Sequence, residues 1–361
     1  MSFRTRRVVL TAPFYLIFEY FLFKYLFSLY GGISDLYLII LVLILTAIRT
    51  IPTLFEEKKS TKIGRFFSTL SGIWLWFLMM IFIYLVVIYI IEIFIKIPVN
   101  ILSIILLTIP LIGIYAYYNA HKIVIKEKTL KFDILEEEYN IAHLSDVHFG
   151  SVRHKQIIED IRDKLMKLSN TCDMAIISGD LADGSSEVEE DDFIALKDVP
   201  IPIIFTPGNH DYYIGIENVI KACKKADIIV LDNSGWQYKN LNIFGLSFSF
   251  GEIESVTPEQ LKDFTQKNKI NILNYHVPTK WEEFVKLGFD IQLSGHTHGG
   301  QFYPVKWLGN LMFEGHNMGL YHEKQGEKDK YLHVTTGIGS MDTPMRWGTN
   351  SEVVVLKLRS K

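Results

Sequence analysis

The sequence predicts an α/β domain carried on four membrane-spanning helices. Apolar residues are concentrated before about residue 120, and from about 121 short β-rich runs alternate with amphipathic segments. Five short blocks of acidic, amide and histidine residues, each ending a predicted strand, say what the second part does. At 361 residues the chain exceeds the usual size of one domain, so units at 1–120 and 121–361 are expected. A net charge of -3 gives no electrostatic case for nucleic-acid binding, and a mean hydropathy of +0.19 is high for a wholly soluble protein. Cys172 and Cys223 form no CxxC pair and read as ordinary buried thiols in a reducing compartment.

The apolar part divides into Thr11–Tyr30, Ile33–Ile51, Phe67–Ile91 and Ile101–Tyr118. A hydrocarbon core about 30 Å thick needs roughly 20 helical residues, which at least three of these supply. The second is the weakest, with Asp35 and Arg49 at its two ends. Aromatic content and the lack of a small-residue cleavage site argue against a cleavable leader. Basic residues alternate between connections. Arg4, Arg6 and Arg7 precede the first span; Lys58, Lys59, Lys62 and Arg65 follow the second; Lys122, Lys126, Lys128 and Lys131 follow the fourth. The positive-inside rule therefore puts everything after about 120 in the cytoplasm, an orientation that reverses if only three stretches span. Glu19 and Lys24 in the first span, and Glu92 and Lys96 beyond the third, read as bundle pairing or snorkelling. Without a dense polar lining the spans read as an anchor and docking unit, not a transporter.

After 121 the alternation in His121–Ile134 predicts a hairpin. Strand Tyr139–Leu144, helix His154–Leu168 and strand Met174–Ser178 follow, and the acidic stretch Glu187–Asp192 opens a predicted helix running to Lys197. Next come strand Ile201–Thr206, helix Ile216–Ala226, and strands Ile228–Leu231 and Leu241–Phe248. Helices Pro258–Lys267 and Trp281–Leu287 interleave with strands Ile270–Tyr275 and Ile291–Ser294, and strands Tyr331–Thr335 and Glu352–Leu358 close the domain. This order implies a largely parallel sheet, whose ligands collect at the carboxyl ends of its strands.

The five blocks fall at such ends. Asp146 and His148, two apart in extended chain, can point at one ion. Asp180 follows Gly179 and offers two oxygens to bridge two cations. In Gly208-Asn209-His210-Asp211 the amide oxygen of Asn209 is a neutral ligand, His210 projects toward substrate, and Asp211 is expected to hold the His210 tautomer. His276 stands alone after an apolar run, and His296 and His298 can serve neighbouring ions. Oxygen and nitrogen ligands without thiolate point to two divalent ions, with Mn²⁺ leading and Fe or Zn²⁺ as alternatives. Such a pair suits in-line displacement at phosphorus by an activated bridging water.

The order of these blocks resembles the calcineurin-like metallophosphoesterase superfamily over roughly 139–358. Gly295-His296-Thr297-His298-Gly299-Gly300-Gln301, Gly337-Ile338-Gly339 and Arg346-Trp347-Gly348 resemble its membrane-anchored bacterial branch, which includes UDP-2,3-diacylglucosamine hydrolases of lipid A synthesis. The resemblance implies a four-layer α-β-β-α sandwich. It also implies that Asp146, His148, Asp180 and His298 hold one metal, that Asp180, Asn209, His276 and His296 hold the other, and that His210 stabilises the transition state or protonates the leaving oxygen. The function expected is hydrolysis of a phosphate ester or pyrophosphate, with a lipid-linked substrate favoured by the membrane part. The rivals are a soluble nucleotide or phosphoprotein substrate, and a sensor that binds metal without turnover. Arg346 is a candidate phosphate contact or an ion-paired loop arginine. Trp307, Phe313 and Tyr321 read as core before pocket lining, and His143, His154, His316, His322 and His333 as structural or surface residues.

Overall fold

A computed structural model describes every residue except 1–2, 57–58, 136, 214 and 251–255, with the side chains of 3–5, 7 and 52–55 also outside the description. Lys58, and the side chains of Arg4 and Arg7, among the basic residues invoked above, therefore lie outside it.

Four helices come first: α1 (Phe3–Ser28), α2 (Asp35–Phe55), α3 (Lys62–Glu92) and α4 (Val99–His121). Val8–Ser28, Lys62–Glu92 and Val99–His121 are long and apolar enough to cross a membrane. Leu22 and Phe23 of α1, Leu38 and Val42 of α2, Leu78 and Leu85 of α3 and Leu102 of α4 share one cluster, while large apolar side chains point outward all round it. Bundle pairing holds for the charges in α1. Glu19 is buried and accepts from Trp74 Nε1 at 3.0 Å, and Lys24 pairs with Asp35 at 3.3 Å. Arg49 stacks on the Tyr15 ring, 3.1 Å from its centroid.

The remainder is β1 (Ile123–Phe132), β2 (Tyr139–Leu144), α5 (His154–Leu168), β3 (Met174–Ser178), β4 (Ile203–Thr206), α6 (Ile216–Lys225), β5 (Ile229–Val230), β6 (Ser234–Tyr238), β7 (Leu241–Leu246), α7 (Pro258–Phe264), β8 (Ile270–Tyr275), α8 (Trp281–Leu287), β9 (Ile291–Ser294), α9 (Val305–Met312), β10 (Gly319–Gln325), β11 (Lys328–Val334) and β12 (Ser351–Ser360). They form two six-stranded sheets, ordered β1-β12-β2-β3-β4-β5 and β10-β11-β9-β8-β7-β6. Strand alternation explains the stacking. Ile141, Ile176 and Ile204 face Ile243, Ile272 and Leu293 of the other sheet. Ala142, Ile177 and Phe205, one residue on, meet Ile157, Ile161 and Leu165 of α5 and Val219 of α6. Phe244 and Leu273, on the far side of the second sheet, meet Leu261 of α7 and Phe284 of α8. Both cysteines are free and buried against α5 and α6.

Two sequence expectations fail. His121–Ile134 forms no hairpin: β1 is an edge strand paired in parallel with β12, from Ile123 opposite Ser351 to Phe132 opposite Ser360. Its buried ends lie on opposite faces, with Ile123 in the cluster against α5, Leu130 and Phe132 in the cluster between the sheets, and 125–129 exposed, so the alternation read from sequence marks no hairpin. The acidic stretch starts no α-helix and leads only to a 3₁₀ turn at Ile194–Asp198. Its carboxylates are spent on distant lysines, with Glu189 meeting Lys59 at 2.8 Å and Asp191 meeting Lys225 at 2.9 Å.

The segment 342–350 seats the second unit on the first. A Cβ on Gly72 would strike the Asp342 carbonyl and Pro344, so the two backbones touch there. Met345 packs among Trp76, Met80, Ile109 and Ala116 of α3 and α4, with Phe302 and Trp347 alongside. Asn119 Nδ2 donates to the carbonyl of Thr349 at 2.7 Å, and the Arg346 N–H donates to that of Ala116 at 2.9 Å.

Candidate metal centre

All five blocks meet where the carboxyl ends of the two sheets converge. Asp146 and His148 follow β2, Asp180 follows β3, Asn209 and His210 follow β4, His276 follows β8, and His296 and His298 follow β9. The means of aiming differs from the extended chain expected. Asp146, His148, Asp180, His296 and His298 all have positive φ, between 49° and 70°. A left-handed residue at a strand end turns its side chain back over the sheet, at a cost of about 1–3 kcal/mol each that surrounding contacts must offset. Glycines let the loops crowd together. A Cβ at Gly208 would overlap Asp180, and one at Gly295 would overlap Ser145 and Asp146.

Three sets of side chains bring ligand atoms within 4.8 Å of one another: Asp146, His148 and His298; His148, Asp180 and His210; Asp180, His276 and His296. Asp146 Oδ1 lies 3.4 Å from His298 Nε2, and the Nε2 atoms of His148 and His298 are 3.0 Å apart. On the other side Asp180 Oδ2 is 3.0 Å from His276 Nε2, which is 3.2 Å from His296 Nδ1. Asp180 thus belongs to both halves.

Electrostatics suit cations. Burial pushes His148 down to about 3, with His210 adding to the effect, and His296 down to about 4. Burial, His148 and Arg346 hold His298 well below its ordinary value. These three neutral imidazoles keep a lone pair to donate. At His276 burial is outweighed by Asp180, which raises the ring to about 9, so a cation there would take the place of a proton. Burial raises the Asp146 carboxyl to about 6 with Asp180 beside it, a repulsion that a cation between them would remove. Asn209 Oδ1 is buried without a hydrogen-bond partner, while its Nδ2 faces Tyr213 Oη at 3.3 Å. An orphaned amide oxygen on the residue before His210, with clustered carboxylates and imidazoles, is what two divalent ions would fit.

Asp211 does not hold His210. Its carboxylate accepts from the N–H groups of Asp180, Ala182 and Gly208 at 2.9, 2.8 and 2.8 Å, lashing the β3 and β4 loops together. Burial and the nearby Asp180 charge push Asp211 up to about 7, against the pull of those donors. His210 Nδ1 instead meets the main-chain carbonyl of Asp183 at 2.8 Å, which leaves Nε2 free. Its own N–H donates to Asp180 Oδ1 at 2.8 Å. Arg346 is no surface phosphate contact either. It is fully buried, donates to the carbonyls of Thr336, Gly339 and Asn350, and approaches His298 Nδ1 at 3.4 Å from behind.

Sequence reasoning missed the supports. His276 Nδ1 meets the Ser178 carbonyl at 2.7 Å, fixing Nε2 toward Asp180. Ser178 Oγ sits in a buried chain from His143 at 2.7 Å to Asn274 at 2.5 Å, and Asn274 reaches Thr206 at 2.8 Å. His143 also meets His333 at 2.7 Å, so these two histidines join the sheets beneath the centre, as structural residues should. Polar Ser178, Asn274 and Thr206 inside otherwise apolar strands were the available signal. Phe313, read as core, lies edge-on to His296 with ring centroids 5.6 Å apart.

The profile of the calcineurin-like phosphoesterases matches residues 139–300, which contain every candidate ligand. An uncharacterized metallophosphoesterase of Campylobacter jejuni is 32% identical over 270 residues, covering 72% of this chain and 70% of that protein. The chain belongs to the calcineurin-like metallophosphoesterase family. Another such metallophosphoesterase, from Helicobacter pylori, is 29% identical over 66% of this chain but only 64% of its own length. A Danio rerio transmembrane protein with a metallophosphoesterase domain is 27% identical over 60% of this chain and 52% of that protein. Asp146, His148, Asp180, His210, His276, His296 and His298 of the blocks named from sequence are the residues whose ligand atoms lie close together among the described residues.

Proposed function

We propose that this protein is a membrane-bound, two-metal phosphoesterase whose centre faces the cytoplasmic surface of a bacterial plasma membrane. The observation that carries the reading is the pair of ligand clusters joined by Asp180, with the orphaned Asn209 oxygen beside them. In this reading Asp146, His148, Asp180 and His298 hold one ion, and Asp180, Asn209, His276 and His296 hold the other. Two divalent cations held there, Mn²⁺ first and Fe or Zn²⁺ as alternatives, would supply positive charge against the phosphoryl oxygens and a water of lowered pKa. His210, anchored through Nδ1, presents Nε2 to the leaving oxygen and supplies its proton. Asp180 keeps that imidazole in place through the His210 N–H. The stacked sheets and their covering helices are read as a four-layer α-β-β-α sandwich in 121–361, preceded by four spans in 1–120.

The substrate is read as an amphiphilic phosphoester or pyrophosphate, with a UDP-linked diacyl sugar as the specific case. Support comes from Arg346, whose main chain bonds to Ala116 of α4 while its guanidinium approaches His298. One residue thus separates the candidate centre from the membrane helices. Purified full-length protein loaded with Mn²⁺ should cleave UDP-2,3-diacylglucosamine and a chromogenic phosphodiester, and Asp180→Ala should abolish both. Efficient turnover of soluble nucleotides with the acylated sugar left intact moves the substrate to the soluble class. Activity that survives Asp180→Ala overturns the site.

A further inference from the structure

We propose that α9 lies in the headgroup layer of the same bilayer that holds α1–α4, as an interfacial helix leading from the lipid surface to the metal centre.

The helix is inside out for one in water. Its protein-facing side holds Gly309, packed on Asn317, and Lys306, whose Nζ is tied to the Gly348 carbonyl at 2.7 Å. Its open side carries Trp307, 69% exposed, with Leu308, Leu311, 84% exposed, and Met312. Surface helices ordinarily bury such a stripe and expose the polar one. A contiguous exposed patch of this kind marks an interaction surface.

The occupant follows from what the helix adjoins. The chain enters α9 from Phe302, packed against Trp347 and the α3–α4 cluster of Trp76, Met80, Ile109 and Ala116. Tyr303 then stands between Trp347, at 5.4 Å, and Trp307, at 5.0 Å, so a ladder of rings runs from the membrane helices onto the open face of α9. α9 is thus tied through these rings to the packed cluster between α3 and α4, helices that also carry large exposed apolar side chains. Aromatic side chains with a polar edge favour the headgroup depth, and amphipathic helices lie in that plane with the apolar face down. Beyond the helix, Phe313 reaches the His296 ring. Lipid at one end and the ligand cluster at the other make α9 a ramp along which an acylated phosphoester can be drawn without leaving the surface.

The proposal rests on reading α1–α4 as membrane spans, and one experiment separates the two. Full-length protein in lipid nanodiscs carries a single nitroxide at Leu311→Cys, at Leu111→Cys on the exposed face of α4, or at Lys324→Cys on β10; Cys172 and Cys223 are buried and leave the new thiol to react. Collision with oxygen above that with a water-soluble nickel chelate is expected at Leu311 and Leu111, and the reverse at Lys324. A water-accessible Leu311 with a lipid-accessible Leu111 overturns the α9 proposal alone. Water access at both positions overturns the spans as well. Spin–spin broadening at Leu311 with neither collision partner admitted means a second copy covers the helix, and also overturns the proposal.

Discussion

His210 takes its orientation from the main chain of Asp183, with Nδ1 2.8 Å from that carbonyl, although Asp211 is its immediate neighbour. A carbonyl cannot be deleted by substitution, so the imidazole is held by an acceptor that side-chain changes leave in place. Asp211 serves the loops, and the two adjacent residues therefore differ in what their loss does. His210→Ala should lower kcat about 100- to 10,000-fold, with metal content and thermal midpoint unchanged. Asp211→Asn should lower the thermal midpoint first, because an amide replaces one acceptor of three buried N–H groups, at a cost of about 1–3 kcal/mol. Equal loss of stability in both variants would contradict this division.

Asp180 faces both halves of the centre, so its loss should empty both. Elemental analysis of Asp180→Ala after Mn²⁺ loading and gel filtration should fall from about two ions per chain to fewer than about one. His298→Ala touches one cluster, and retention of about one ion is expected.

Arg346 is enclosed, and its positive charge is satisfied almost wholly by carbonyl oxygens. Arg346→Met should destabilise the protein by about 3 kcal/mol or more, since it strands those carbonyls and the His298 ring beside them. A thermal shift assay reads this directly. A raised KM with an unchanged midpoint would return Arg346 to substrate binding.

Glu352 links β12 to β1 through Lys126 at 2.7 Å and accepts from the Thr336 N–H at 2.9 Å. Burial opposes its charge, but Lys126 and Thr336 outweigh burial and lower its pKa. Because the folded value lies below the unfolded one, near 4.3 for glutamate, the stabilisation is present above about pH 4.3 and fades as pH falls through the folded value. Unfolding midpoints of the native protein and Glu352→Gln should therefore differ at pH 7 and converge on acidification. A gap that persists below about pH 3 would tie the effect to packing alone.

Much of this was legible in the sequence for an identifiable reason. Apolar runs that stop at a chemistry-bearing turn leave little freedom, and β2, α5, β3, β8, α8 and β9 begin and end where the runs do. The ligand set follows from the same stops. What escaped depends on long-range partners. Only distant lysines explain why Glu189 and Asp191 start no helix, and only the fold shows that Arg346 is enclosed. The left-handed turns at Asp146 and His148 were hidden as well: aspartate and histidine visit that region more than most residues, but still too rarely for residue type to mark a position. Trp307 reads as core from sequence, and only the fold shows it 69% exposed.

The seating of β1 has a consequence for how the protein is made. Its strand partner is β12, which itself lies between β1 and β2, and every other described strand precedes β12 in the chain. While the ribosome is still extending the polypeptide, the apolar helices are complete, but the strand that follows them has an unpaired edge. The first sheet closes only when β12 emerges and slides between two waiting edges. Until then the candidate ligand loops after β2 and β3 hang from an unfinished sheet, so metal capture is expected only once β12 has joined it, and shortening β12 should yield protein that keeps its apolar helices yet never assembles its centre.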